Sequence, residues 1–464
     1  MRVFPFALAA YLALICTVAA FAFLRVRSAA DYWLAGRRSS GLATGGSLAA
    51  TIVGGSSTLG LAGLAFQRGL TGSWWLLVGP IGLSLLLFFL RSLRSRIVYT
   101  LPELIGGWYG PVMRKLAGIF ILVAWMGIVG AQARAAGSIL CTFLGGDPLI
   151  WTAAGGAVFV LYTAAGGQIS VIRTDLFQAL LILLGVGCSA LIGLRLIGGL
   201  AGLRSTLPPV MFSFPVSPSF SLFDLALLVL VVGSTYLIGP DMLSRIFCSG
   251  SERAARRGVL ISIAVIVPVT LLVTGCGLIS RALFPEAAPE AALPLLAGRA
   301  LPPWLGALLL IALLSAFLSS ADTTLLTMSA IISVDFLHQG ATDRLLVPRL
   351  TVVLCGTAAV LVGIFSGGII PSLLLGYSVF SGGLFVPILA GLLGRPLRRP
   401  AALAAACLGG LTALAGKLAG SDILVAVSFF LGFFILLGDR LLSARDRTGV
   451  QGTASQVNSV CKNR

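Results

Sequence analysis

IALLSAFLSSADTTLLTMSAIISVD, running from Ile311 to Asp335, is apolar and long enough to cross a bilayer, yet it carries a dense row of hydroxyls. Side chains three and four apart stack on one face of a helix, which brings Ser315, Ser319, Asp322, Thr323, Ser329 and Ser333 near one another. That face has no place against lipid, because an intramembrane hydroxyl or carboxylate costs several kcal/mol unless it meets a partner, water or an ion. The stretch must therefore look into the protein or an aqueous cavity. Close-set oxygens without thiols or imidazoles suit a hard cation such as sodium. Small hydroxyl residues equally serve as packing contacts between membrane helices, so the stretch alone leaves the two readings level.

The rest of the chain extends the apolar pattern. Of 464 residues, 58% are hydrophobic and only 10% are charged, with mean hydropathy +1.05, which excludes an ordinary soluble domain. Apolar runs of membrane length number about thirteen, so the fold class is an all-α polytopic membrane protein. The chain holds 32 Lys and Arg against 15 Asp and Glu, and their placement speaks for topology rather than nucleic acid. Twenty-four basic residues fall in alternate loops and the tail, seven fall on the opposite side, and Arg134 lies within a span. The positive-inside bias then sets the N-terminus outside, the C-terminus in the cytoplasm and an odd number of spans in the cell (inner) membrane. The first apolar run is longer than a signal-peptide core and is followed by Arg25 and Arg27, so it reads as a retained helix. Eight cysteines are scattered without metal-like spacing, which supports neither a disulfide framework nor a zinc site.

Two spans are interrupted. The second, Thr44 to Phe66, contains Ala50-Thr51-Ile52-Val53-Gly54-Gly55-Ser56-Ser57, and the seventh, Leu222 to Ile238, runs into Gly233-Ser234-Thr235-Tyr236-Leu237-Ile238-Gly239-Pro240-Asp241 with Arg245 beyond. Breaks in mid-membrane free backbone carbonyls, which is tolerable only against protein, water or a bound ion. Five spans separate the two, the interval that a pair of five-helix repeats gives in transporters that bind their cargo where discontinuous helices meet. The expected division is 1-40 as an extra helix and first loop, 41-200 and 201-394 as the repeats, 395-442 as two further helices, and 443-464 as a disordered cytoplasmic tail. Arg134 lies deep in the long fourth span, where it serves as an anchor for an anionic ligand or as half of a structural ion pair. Asp175, near the start of the sixth span, reads as a helix cap or as part of a cation path.

These residues carry a resemblance. DYWLAGR at 31 to 37, the broken second span, TLPE at 100 to 103, AQARAAG at 131 to 137, YTAAGGQISVIRTDLFQ at 162 to 178, GPDMLSRIF at 239 to 247 and SAFLSSADTTLL at 315 to 326 follow the order seen in the sodium/solute symporter family. The chain resembles that family over nearly its whole length, and the resemblance implies a LeuT-like fold with two inverted five-helix repeats. It also implies a sodium ion, as coupling ion, bound by the carbonyls of Ala50, Val53 and Ala316 and the hydroxyls of Ser319 and Ser320. Asp175, Ser319, Asp322 and Thr323 match a second sodium site present in some members. For the solute the matching positions are Ser56, Ser57, Gln132, Arg134, Tyr236 and Tyr377, while Ile52 stands where some relatives have a carboxylate. The function implied is import of a small organic solute, with Arg134 suggesting an anionic one.

Two other readings share these residues. The same fold could be driven by protons through Asp175 or Asp322, or the chain could be a solute sensor working with a separate signalling partner. Enzyme chemistry has little to build on: the lone histidine, His338, sits at the cytoplasmic end of the ninth span, and no nucleophile-base set or phosphate-binding glycine loop stands out.

Overall fold

The computed structural model describes residues 3–96, 98–338, 345–365 and 369–461, with side chains described as far as 442 except at 369 and 372. Among the described residues there are helices and turns but no β-strand, and eleven helical runs are long and apolar enough to cross a membrane. The number differs from the thirteen expected: Pro148–Leu196 takes in the expected fifth and sixth segments, and Ser56–Arg94 takes in the third with the end of the second. Pro148–Leu196, at 49 residues, would reach about 74 Å, more than twice a bilayer core of about 30 Å. It turns at Gly167, whose φ of 57° and ψ of −162° lie outside the helical region. Ser56–Arg94, at 39 residues, turns likewise at Gly69, where φ is 70°.

The helices used below are α1 Val3–Phe23, α2 Gly41–Ile52, α3 Leu61–Arg68, α4 Trp74–Arg94, α5 Pro111–Leu144, α6 Pro148–Leu196, α7 Ser234–Ile238, α8 Pro240–Cys248, α9 Glu252–Leu283, α10 Pro303–Ala330, α11 Leu346–Phe365, α12 Ile369–Leu392, α13 Arg399–Leu418 and α14 Asp422–Cys461. The run that includes α10, Pro303–Phe336, is the centre of the molecule: 89% of its most apolar window is buried, against 22% for α1 and 33% for Asp422–Leu442. Its hydroxyls explain how so polar a helix stays inside. Ser315 donates to its own Ile311 carbonyl at 2.8 Å, and Ser329 meets Thr351 Oγ1 of α11 at 2.8 Å and the Pro348 carbonyl at 2.9 Å. The lower part of the stripe is thus packing glue, and the middle part faces the break after α2.

The quoted motifs brace this centre. Tyr32 donates to the Ala164 carbonyl at 3.2 Å beside the turn at Gly167, and Trp33 Nε1 donates to Ser329 Oγ at 3.3 Å. Thr100 caps the short helix Leu101–Tyr109 by accepting the Glu103 N–H at 3.1 Å and also donates to Asp335 at 2.8 Å. Arg114 pairs with the same Asp335 at 2.6 Å, tying the foot of α5 to the end of the central run. The last helix continues past its membrane-length part, Asp422–Leu442, through residues 443–461, where the polar composition predicts disorder. That stretch contains no proline, although Gly449 and Gly452 weaken it, so it extends the helix that the final span has already nucleated.

Candidate functional site

α2 stops at Ile52 because Val53 leaves the helical region, at φ −86° and ψ 66°, and the paired glycines Gly54 and Gly55 follow before the chain coils again at Ser56. Several of the groups freed by the break find partners. Gly55 N–H donates to Gln132 Oε1 of α5 at 2.9 Å, Ser57 Oγ donates to the Ile52 carbonyl at 2.7 Å, and Thr58 Oγ1 to the Gly54 carbonyl at 2.9 Å. Glycine is needed here for close approach: a methyl group on Gly55 would meet Gln132 Oε1 at 2.7 Å.

On the other side of the break stands α10. Ser319 Oγ lies 2.9 Å from the Ala50 carbonyl and 3.0 Å from the Ala316 carbonyl, and Ser320 Oγ donates to the Thr51 carbonyl at 2.7 Å. Of the five oxygens expected around sodium, those of Ala50, Ala316 and Ser319 meet directly, Val53 stands at the turn, and Ser320 binds the next carbonyl along. One hydroxyl proton on Ser319 serves two carbonyls, so the cluster holds more acceptor than donor. Such a set of neutral, fully buried oxygens fits a hard monovalent cation.

The second expected set also comes together, and it contains a residue whose role the sequence reading passed over. Arg245 of α8, only 1% exposed, projects into the group: its Nε donates to Ser47 Oγ at 2.6 Å, its Nη2 pairs with Asp175 at 3.4 Å, and the same nitrogen donates to Thr323 Oγ1. Asp175 also accepts from Ser47, and Thr323 Oγ1 donates to the Ser319 carbonyl at 2.9 Å, joining this group to the first. Asp322 is fully buried beside Thr323, with 3.4 Å between Oδ1 and Oγ1. Asp175 Oδ1 and Asp322 Oδ2 are buried without a hydrogen-bond partner. Asp175 is not a helix cap: it lies inside α6, well past the turn at Gly167.

Between the two breaks and α5 lies a small cavity, with about 30 Å³ open to the centre of a water molecule. Ser56, Gln132, Tyr236 and Tyr377 line it as expected. Ser57 and Arg134 do not. Ser57 is consumed in closing the break, and Arg134, half-buried, points to the Gly363 carbonyl of α11 at 3.5 Å. The rotation of α5 decides this, since Gln132 and Arg134, two apart on a helix, look in different directions. Trp125 and Asp241 line the cavity and were not anticipated. The available signal for Asp241 was its place directly after the second break, and for Trp125 its place on the face of α5 that carries Gln132.

The model of the Sodium:solute symporter family matches residues 32–366. A sodium/glucose cotransporter of Vibrio parahaemolyticus is 24% identical over 178 residues, or 38% of this chain and 33% of that protein, so the alignment spans about a third of that relative. The sodium/pantothenate symporter of Escherichia coli strain K12 is 26% identical over 363 residues, 71% of each chain. Among solved structures, a Na+-coupled sialic acid symporter in a substrate-bound outward-open state superposes with a TM-score of 0.83 at 18% identity, covering 92% of this chain and 95% of that one. At that identity the likeness establishes the fold, which is LeuT-like.

Proposed function

The chain belongs to the sodium:solute symporter family, whose members are transporters and not enzymes, and on that premise we propose that it is a sodium-coupled symporter importing a small organic solute by alternating access. The observation that carries the reading is Ser319 Oγ, 2.9 Å from the Ala50 carbonyl, where a break in one helix meets the buried centre of another. Sodium held by the carbonyls of Ala50, Val53 and Ala316 and the hydroxyls of Ser319 and Ser320 would join the residue ranges 41-200 and 201-394, read as the two repeats. Coupling requires that sodium bind one arrangement of these repeats more tightly than the other, since equal affinity shifts no population. With the N-terminus outside and the C-terminus in the cytoplasm, sodium entering a negative interior contributes roughly 2.3 kcal/mol per charge per 100 mV.

The second set, Asp175, Ser319, Asp322 and Thr323, is a weaker sodium site on this reading, because a bound ion would compete there with the Arg245 guanidinium. Support for an anionic solute came from Arg134; with that side chain turned to Gly363, the support lapses. A proton-driven version of the cycle draws on one observation, the unpartnered oxygens of Asp175 and Asp322.

The test is the melting temperature of the purified protein in sodium chloride and in equimolar choline chloride. A site on the folded state predicts a rise that grows with the logarithm of sodium concentration above its Kd. Ser319→Ala should lose that rise, and Ser320→Ala should reduce it. Indifference to sodium combined with stabilisation at acid pH would transfer the role to the carboxylates.

A further inference from the structure

The solute cavity has a chemical bias that runs against the anion expected from Arg134. Among the described side chains that line it, Asp241 is the one acid and there is no Lys, Arg or His; the rest are hydroxyls, an amide, aromatic rings and apolar groups. Asp241 is the second residue of α8, directly after the break at Gly239, and its Oδ1 accepts the Met242 N–H at 3.1 Å. That contact is the bland role of an acid in the first turn of a helix. It uses one of about four acceptor positions on a carboxylate.

No ion pair neutralises Asp241 among the described residues. Arg245, one turn further along α8, is committed to Asp175, Ser47 and Thr323. A half-buried carboxylate that lines a small cavity and has most of its acceptor positions unused is a ready partner for positive charge.

The facing wall adds a second, independent demand. Trp125 is fully buried, with its ring 4.8 Å from Phe380 and 6.3 Å from Tyr377, centroid to centroid. Its indole Nε1–H is buried without an acceptor. Indole is a donor only, so the missing partner must be an acceptor. Trp125, Tyr236 and Tyr377 also offer the aromatic faces that attract cations.

Resting on the symporter reading, we propose that the transported solute carries a protonated amine, held by Asp241 among these rings, together with a hydrogen-bond acceptor that takes the Trp125 Nε1–H. A purely anionic solute would be repelled by Asp241. The small cavity widens to admit such a solute during the cycle, and charge neutralisation at Asp241 then favours closing over it.

The experiment measures melting temperature of the full-length purified protein in sodium and in choline, with three groups of probes at fixed ionic strength. L-alanine, L-proline and ethanolamine carry amines; acetate and L-lactate are anions; glycerol and D-glucose are neutral. At least one amine is expected to stabilise the protein in sodium and not in choline. Asp241→Asn keeps an oxygen for the Met242 cap and should abolish the amine response while preserving the shift caused by sodium alone, which also reports that the variant is folded. Asp241→Glu should retain part of the response, and Trp125→Phe should weaken it about tenfold by deleting one donor. The proposal is overturned if only anions or neutral probes respond, if no amine responds while sodium does, or if the amine response survives in Asp241→Asn. It is also overturned if Asp241→Asn removes the sodium shift itself, since Asp241 would then serve the ion. If sodium fails to stabilise the wild-type protein, the symporter reading fails first and takes this inference with it.

Discussion

Replacing Arg245 by Met should be among the most damaging single changes in the protein. The guanidinium is 1% exposed, and it pairs with Asp175 while donating to Ser47 and Thr323, so one side chain of α8 fastens α2, α6 and α10. Removing it strands a fully buried carboxylate, and breaking one partner of a buried pair costs about 3–5 kcal/mol. Asp175→Asn alone leaves the arginine buried with only hydroxyl partners and should cost a comparable amount. The double variant Arg245→Met/Asp175→Asn carries no stranded charge; its loss reduces to a few hydrogen bonds of about 1 kcal/mol each. Unfolding of the purified variants by SDS in mixed micelles measures the cycle. The double variant should be more stable than Arg245→Met alone, by about 1–3 kcal/mol. Additive losses would refute the argument, because they would mean that the two charges do not depend on each other inside the protein.

Three further outcomes follow from named contacts. Gln132→Leu removes the acceptor of the buried Gly55 N–H and should cost about 1–3 kcal/mol, read as a sodium affinity weakened at least several-fold in melting titrations, whereas Gln132→Glu keeps an acceptor and should retain most of it. Gly167→Ala combines a φ of 57° with a methyl 2.7 Å from the Tyr32 ring, so the yield of monodisperse protein should fall sharply; the control Gly187→Ala, whose methyl meets Leu272 at 3.6 Å, should purify normally. Sodium titration of the wild-type protein should have a Hill slope near one, because Arg245 already occupies the second group of oxygens, and a slope approaching two would place a second ion there despite the arginine.

Much of this arrangement was legible in the chain because it rests on local pattern. The hydroxyl face of residues 311–335 follows from helical period, and a Gly pair between hydroxyls in mid-span marks a break whether or not its partners are known. What the pattern leaves open is rotation. Arg134 and Gln132 are two residues apart, and only the packing of α5 determines that the amide reaches Gly55 while the guanidinium reaches Gly363. Arg245 followed a helix break and preceded a basic loop, so it read as a topology signal; its burial depends on α2, α6 and α10 converging from distant parts of the sequence. Asp241 and Trp125 were invisible as a pair for the same reason, being 116 positions apart and joined only by a cavity. The span count diverged where the chain turns at Gly167 and Gly69 without leaving a continuous helical run.

Hydrogen–deuterium exchange of the purified protein in sodium against equimolar choline tests the central claim most directly, because it reports where the ion acts as well as whether it acts. Sodium bridging the break after α2 to the middle of α10 predicts slowed exchange in peptides covering residues 49–58 and 314–324, saturating with sodium concentration and absent in Ser319→Ala. Identical exchange in the two salts, or protection confined to other segments, would contradict a sodium site between Ala50 and Ser319.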